Sequence, residues 1–128
     1  MIGLGKSSRI FVSTKPADMR KAFQALAALV ISEFGADPLA GSVYLFIAKN
    51  AKRAKLIWYD GIGFCLFQKK LVRGRYAAPR DHVLDGAVVL SPSQVALFFD
   101  GSPLVFMGTL GLEEVAPRKL TTNIATIR

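Results

Sequence analysis

The chain has 128 residues, of which 52% are hydrophobic and 20% charged, and a net charge of +8 at pH 7. That length suits one domain, and the composition excludes a disordered, highly charged tail. One cysteine, Cys65, and one histidine, His82, exclude an intramolecular disulfide and a standard structural zinc site. The longest apolar run, Ala25–Ile31, is far shorter than the roughly 20 residues of a membrane-spanning helix. The first residues lack the apolar stretch and cleavage site of a signal peptide. The expectation is a reduced, cytoplasmic, soluble protein with no membrane partner.

Arg9 to Thr14 is β-branched and aromatic and predicts a short strand, ended by Lys15-Pro16. Asp18 then suits a helix N-cap. Met19, Phe23, Leu26, Leu29, Val30 and Phe34 follow at helical spacing. A helix over Asp18–Phe34 is expected, with Gly35 just past its end. Asp37-Pro38-Leu39-Ala40-Gly41 predicts a turn and Ser42–Ala48 a strand. Arg53–Tyr59 and Ile62–Gln68 flank Asp60-Gly61, the signal of a two-residue type I′ hairpin.

In that hairpin, alternation assigns Ala54, Leu56, Trp58, Cys65 and Phe67 to one sheet face, apolar enough to be core. Arg53, Lys55, Ile57, Tyr59, Phe64, Leu66 and Gln68 fall on the other. Gly74 predicts a bend, Arg80–Asp85 a polar loop and Gly86–Leu90 a short strand. Ser91-Pro92-Ser93-Gln94 carries a capping box with proline at the first helical position, and Gly101 ends that second helix. The segment after Gly101 lacks a clear period. The fold class expected is α+β: a single domain with a mainly antiparallel β-sheet, a long helix packed on one face and a second short C-terminal helix. The domain is expected over residues 1–102, with residues 103–128 as a loosely docked extension.

Few residues suit catalysis. Gly5-Lys6-Ser7 lacks the earlier glycine and the preceding strand of a phosphate-binding loop. The acids are scattered among a cap, turns, loops and the extension, which does not suit a two-metal site. His82 lies beside Arg80 and Asp81 in an expected exposed loop, and Cys65 falls on the core face as an inert thiol. No catalytic residue, metal or cofactor is assigned, and the protein is expected not to be an enzyme.

The charge is concentrated. Lys49, Lys52, Arg53, Lys55, Lys69, Lys70, Arg73, Arg75 and Arg80 all lie in one window whose sole acid is Asp60, so the window carries +8 and the remainder is neutral. A local positive field attracts a polyanion through counterion release; a solvated basic surface is the plain alternative. Lys49, Lys52, Arg53, Lys55, Lys69, Lys70, Arg73 and Arg75 are the candidate nucleic-acid contacts. Tyr59 and Phe64 are candidates for base stacking. Equally, a helix could cover their face and leave only Arg53 and Lys55 at its rim.

Five blocks also resemble a known family. Pro16-Ala17-Asp18-Met19-Arg20-Lys21-Ala22-Phe23 followed by Leu26-Ala27-Ala28-Leu29-Val30 is similar to its T-D-M-R-K-G-F-D-G-L-A-A-L-V signature. Asp37–Gly41, Lys55–Phe64, Lys69–Tyr76 with Pro79, and Leu90–Gly101 match further blocks in the same order. The family is the accessory protein (TnpB, second open reading frame) of the insertion-sequence-sixty-six family of bacterial mobile elements. Tyr59 between Trp58 and Asp60, Ala22 in place of glycine and Val72 in place of glutamate depart from its pattern. The resemblance implies a non-catalytic accessory role in DNA transposition, with a separate transposase encoded by the same element. DNA and that transposase are the expected partners, and a homo-oligomer is left open. The alternative is a protein-interaction module that binds the transposase or another acidic partner without contacting DNA.

Overall fold

A computed structural model describes residues 8–20, 22–79 and 88–106. Gly5-Lys6-Ser7, Lys21, the loop with Arg80, Asp81, His82 and Asp85, and the extension from residue 107 lie outside the described residues.

Five strands form one sheet: β1 (Ile10–Val12), β2 (Val43–Ile47), β3 (Arg53–Tyr59), β4 (Phe64–Lys70) and β5 (Val88–Leu90). Their order is β4-β3-β2-β1-β5. The β1–β2 pair is parallel, and the β1–β5, β2–β3 and β3–β4 pairs are antiparallel. Helix α1 (Phe23–Phe34) makes the crossover between β1 and β2, as a parallel neighbour requires. Helix α2 (Pro92–Phe99) follows β5. The α+β, mainly antiparallel architecture expected from the sequence is the one observed.

The apolar run Val-Tyr-Leu-Phe-Ile of β2 is buried at every residue, because it is covered on both faces. On one face α1 sets Leu26 and Val30 against Phe11, Tyr44, Phe46 and Ile57. The Tyr44 ring lies 5.1 Å from Phe34 and 5.9 Å from Phe11. On the other face α2 sets Val95, Phe98 and Phe99 against Ile10, Val12, Leu45 and Leu56. Tyr76 joins this second core, stacked 4.6 Å from Phe98 at an interplanar angle of 11°. Val105 and Phe106, the last described residues, are also buried there.

Three local expectations are corrected. Helix α1 starts at Phe23, a turn later than Asp18, and its N-cap Ala22 makes no side-chain cap bond. Asp18 instead closes on Arg20. Its Oδ1 accepts from the Arg20 amide at 2.9 Å, and its Oδ2 from the guanidinium at 2.8 Å. The β3–β4 connection is a four-residue loop, with Tyr59 paired to Phe64 and Arg53 to Lys70. Its cause is the Asp60 carboxylate, whose Oδ1 accepts from the Ile62 and Gly63 amides, both at 2.9 Å. The resulting shift from the expected register is two residues, so every side chain keeps its expected face. Cys65 lies on that face but is only half-buried, and its thiol donates to Asp60 Oδ2 at 3.5 Å.

The capping box opening α2 is present as read. Ser91 Oγ accepts from the Gln94 amide at 3.2 Å and the Ser91 amide donates to Gln94 Oε1 at 2.8 Å. Past both helices the chain turns through left-handed glycines, Gly35 at φ 61° and Gly101 at φ 86°.

The amides of Gly63 and then Ile62 hold the Asp60 carboxyl below its ordinary value of 3.8. A lowered folded value means this contribution to stability is complete above the ordinary value and is lost as pH falls through the folded one. The urea midpoint of the wild type is therefore expected to drop on acidification below pH 3.8 more steeply than that of Asp60→Asn. Parallel curves would show that the loop bonds contribute nothing.

Candidate nucleic-acid interface

The β2–β3 turn, the segment between β1 and α1, and the end of β4 meet at one end of the sheet. The turn bonds on itself: the Ala51 amide donates to Ala48 O at 2.9 Å and the Lys52 amide to Asn50 Oδ1 at 2.9 Å. Ala51 sits at φ 58°, a left-handed conformation that costs an alanine about 1 kcal/mol or more. The chain after β4 is fastened to the same turn. Leu71 N donates to Lys52 O at 2.8 Å and Tyr76 N to Ala51 O at 2.6 Å. Arg73 and Arg75, both exposed, are looped out between those two anchors.

Lys49, Lys52, Arg53 and Lys70 line an open cleft of about 690 Å³ there, together with Ala17, Asp18, Met19, Ala48 and Asn50. Four cations thus face one carboxylate, and that carboxylate is already bonded to Arg20. The field in the cleft favours an anion.

The remaining candidates are distributed by strand parity. Lys55 is 7% exposed, and its ammonium donates to Met19 O at 2.7 Å. Burial first, and then the charge of Arg53, lowers its pKa. It braces the cleft from beneath. Lys69 points to the opposite sheet face, where its Nζ donates to Phe99 O at 3.0 Å, at the C-terminal end of α2. A cation is favourable at that end of a helix.

Tyr59 and Phe64 sit at the far end of the hairpin, six residues or about 20 Å along β3 from Arg53. Their rings lie 5.4 Å apart, and Phe64 also packs 5.5 Å from Phe23 of α1. Both are half-buried. The structure therefore brings Lys49, Lys52, Arg53 and Lys70 together, adds Arg73 and Arg75 at the same end, and sets the two rings apart from them.

The sequence pattern assigns Asp18 to a helix cap and Met19 to an apolar stripe, and marks neither Ala17 nor Asn50 as a site residue. The signal that could have found the first three was their place in the opening signature block, whose residues line a cleft in place of extending the helix.

Among the described residues no three His, Cys, Asp or Glu side chains gather as a metal site. None of the described helices is long and apolar enough to cross a membrane. The Cys65 thiol has its pKa raised, by desolvation first and then by Asp60, the reverse of an activated nucleophile.

Fold and cleft together define a small α+β protein with a basic recess at one end of its sheet. The chain belongs to the IS66 Orf2-like family (TnpB_IS66), whose model matches residues 8–107, and is thereby an accessory protein of that insertion-sequence family. The family is associated with transposition and is not one of known enzymes. The uncharacterized protein y4jC of Sinorhizobium fredii is 40% identical over 101 residues, covering 79% of this chain and 85% of that protein. The uncharacterized protein y4hO of the same organism is 36% identical over 101 residues, covering 79% and 86%. No solved structure matches the chain.

The adjacent lysines Lys69 and Lys70 should behave differently. Lys69→Met loses the bond to the end of α2 and is expected to cost about 0.5 kcal/mol in urea unfolding. Lys70→Met removes a charge facing Arg53 and should leave stability unchanged or raised. Equal losses from both would contradict the assignment.

Proposed function

We propose that this protein supports transposition by binding DNA through the basic cleft, without sequence-reading chemistry of its own. The observation that carries this reading is the convergence of Lys49, Lys52, Arg53 and Lys70 on one recess. Helix α1 covers this face of the hairpin only toward Phe64, so the cleft end is where Arg53 and Lys70 meet solvent. Lysine and arginine there would contact phosphates, which position a protein on a duplex without specifying sequence. Arg73 and Arg75 extend the same surface. A longer stretch of nucleic acid following β4 would reach Tyr59 and Phe64, and any stacking would occur there as a separable contribution.

A second reading is favoured by one observation. Strand β4 is the sheet edge, and Leu66 and Phe67 on it are 39% and 38% exposed. An open edge strand can accept a strand from another protein, and the transposase of the same element is the partner this reading names. Salt-resistant capture of that transposase in the absence of DNA would support it.

Fluorescence anisotropy with a generic duplex and a transposon-end duplex, across a salt series, tests the first reading. Three to six neutralised phosphates, the lower figure if neighbouring cations share one, give an expected slope of log K against log salt between about −2.7 and −5.4. Reversal of Lys49, Lys52, Arg53 and Lys70 to Glu should abolish binding while leaving the circular dichroism unchanged. Undiminished binding by a folded variant would overturn the reading.

A further inference from the structure

Within the cleft, one arrangement is unusual for a β-sheet. Arg53 on β3 is paired directly across from Lys70 on β4, and the next pair on the same face is Lys55 with Gln68. Side chains directly opposite in an antiparallel pair have Cβ atoms about 5 Å apart, and like charges there are destabilising. Among the described residues neither Arg53 nor Lys70 makes an ion pair. Helix α1 covers this face only over the Phe64 end, where Phe23 sits on Phe64. Beyond it the four side chains, with Met19 above them, line a recess of about 360 Å³. That is at the small end of ligand-sized cavities. Ala54 and Lys69, whose side chains belong to the other sheet face, complete its wall, and no acid lines it.

We propose that Arg53, Lys70, Lys55 and Gln68 form a seat for a single phosphate group of the bound nucleic acid. The inference rests on the DNA-binding reading and deepens it. Arg53 presents the planar fork that suits two phosphate oxygens. Lys70 approaches from the neighbouring strand, and the Gln68 amide adds a donor. Lys55, held to Met19 O, supplies charge from below. The anion removes the repulsion that the empty pair carries. A nucleic-acid phosphodiester, like a carboxylate, carries one negative charge on two free oxygens, and its two ester oxygens add acceptors for the Gln68 amide and the remaining cation.

The test has two arms. In the first, the full-length protein is titrated with inorganic phosphate, and separately with acetate, at constant ionic strength. The Arg53 Nε–H and Gln68 amide resonances are followed by NMR. Phosphate should give a saturable shift that disappears in Arg53→Gln and in Lys70→Gln and persists in Lys15→Gln, an exposed lysine outside the cleft. No saturable shift, or an equal response to acetate, overturns the seat. In the second arm the salt slope of duplex binding is measured for Arg53→Gln, Lys70→Gln and the double variant. Because both side chains hold one phosphate, the double variant should lose about 0.9 and neither single variant more than that. A double variant that loses twice as much would mean two separate phosphates and no shared seat, while the DNA-binding reading stands. Absence of duplex binding in the wild type would sink that reading, and the seat is then judged on the phosphate shifts alone. The double variant should melt no lower than the wild type, since it removes a like-charge pair.

Discussion

Coverage of the central strand β2 on both faces is the constraint from which the rest follows. Strand β2 is buried at all five residues, and that requires α1 on one side and α2 with Tyr76 on the other. Once both helices are seated, β4 remains the exposed edge of the sheet, and Arg53 and Lys70 lie at the hairpin end that α1 does not reach. Burying unpaired cations is costly, so those that remain exposed gather where the β2–β3 turn and the chain after β4 leave a recess. The charge concentration in the sequence becomes a spatial concentration through packing.

Lys55 joins the fold to this site. Its ammonium is 7% exposed and bonded to Met19 O at 2.7 Å, so it fixes the Ala17–Met19 segment as one wall of the cleft. Asp18, closed on Arg20, keeps its carboxylate occupied beside four cations. Ala51, held at φ 58°, shapes the opposite wall. Left-handed backbone at a non-glycine residue persists where surrounding bonds over-determine it, and here the bonds from Ala51 to Ala48 and from Tyr76 to Ala51 do so.

Much of this architecture is legible in the residues. Alternation along the hairpin assigns Leu56, Trp58 and Phe67 to the α2 face and Ile57, Phe64 and Lys55 to the α1 face. That assignment survives the wrong turn type because the register differs by two residues. The capping box at Ser91 and Gln94 is local chemistry and is read directly. The Asp60 loop is not, because Asp-Gly suits a two-residue turn. What decides is a carboxylate accepting two amides, which sequence spacing does not display. Asp18 failed as a cap for a similar reason: its partner is Arg20 and not the first helical turn. The site was half legible. Charge density marked the region, but which lysine faces the cleft, the core or the end of α2 depends on which element covers each face. Lys69 and Lys70, adjacent in sequence, differ for that reason alone.

A short duplex held in the cleft lies at one end of the sheet and stops short of Tyr59 and Phe64. Hydrogen–deuterium exchange of the full chain, with and without a saturating duplex at low salt, addresses that placement most directly. With a duplex too short to reach Tyr59 and Phe64, slowed exchange is expected in peptides spanning Ala17–Arg20, Ala48–Arg53 and Gln68–Arg75, with no change around Asp60–Leu66. Protection confined to the outer edge of β4 near Ile62–Phe67, with the cleft peptides unchanged, would contradict it.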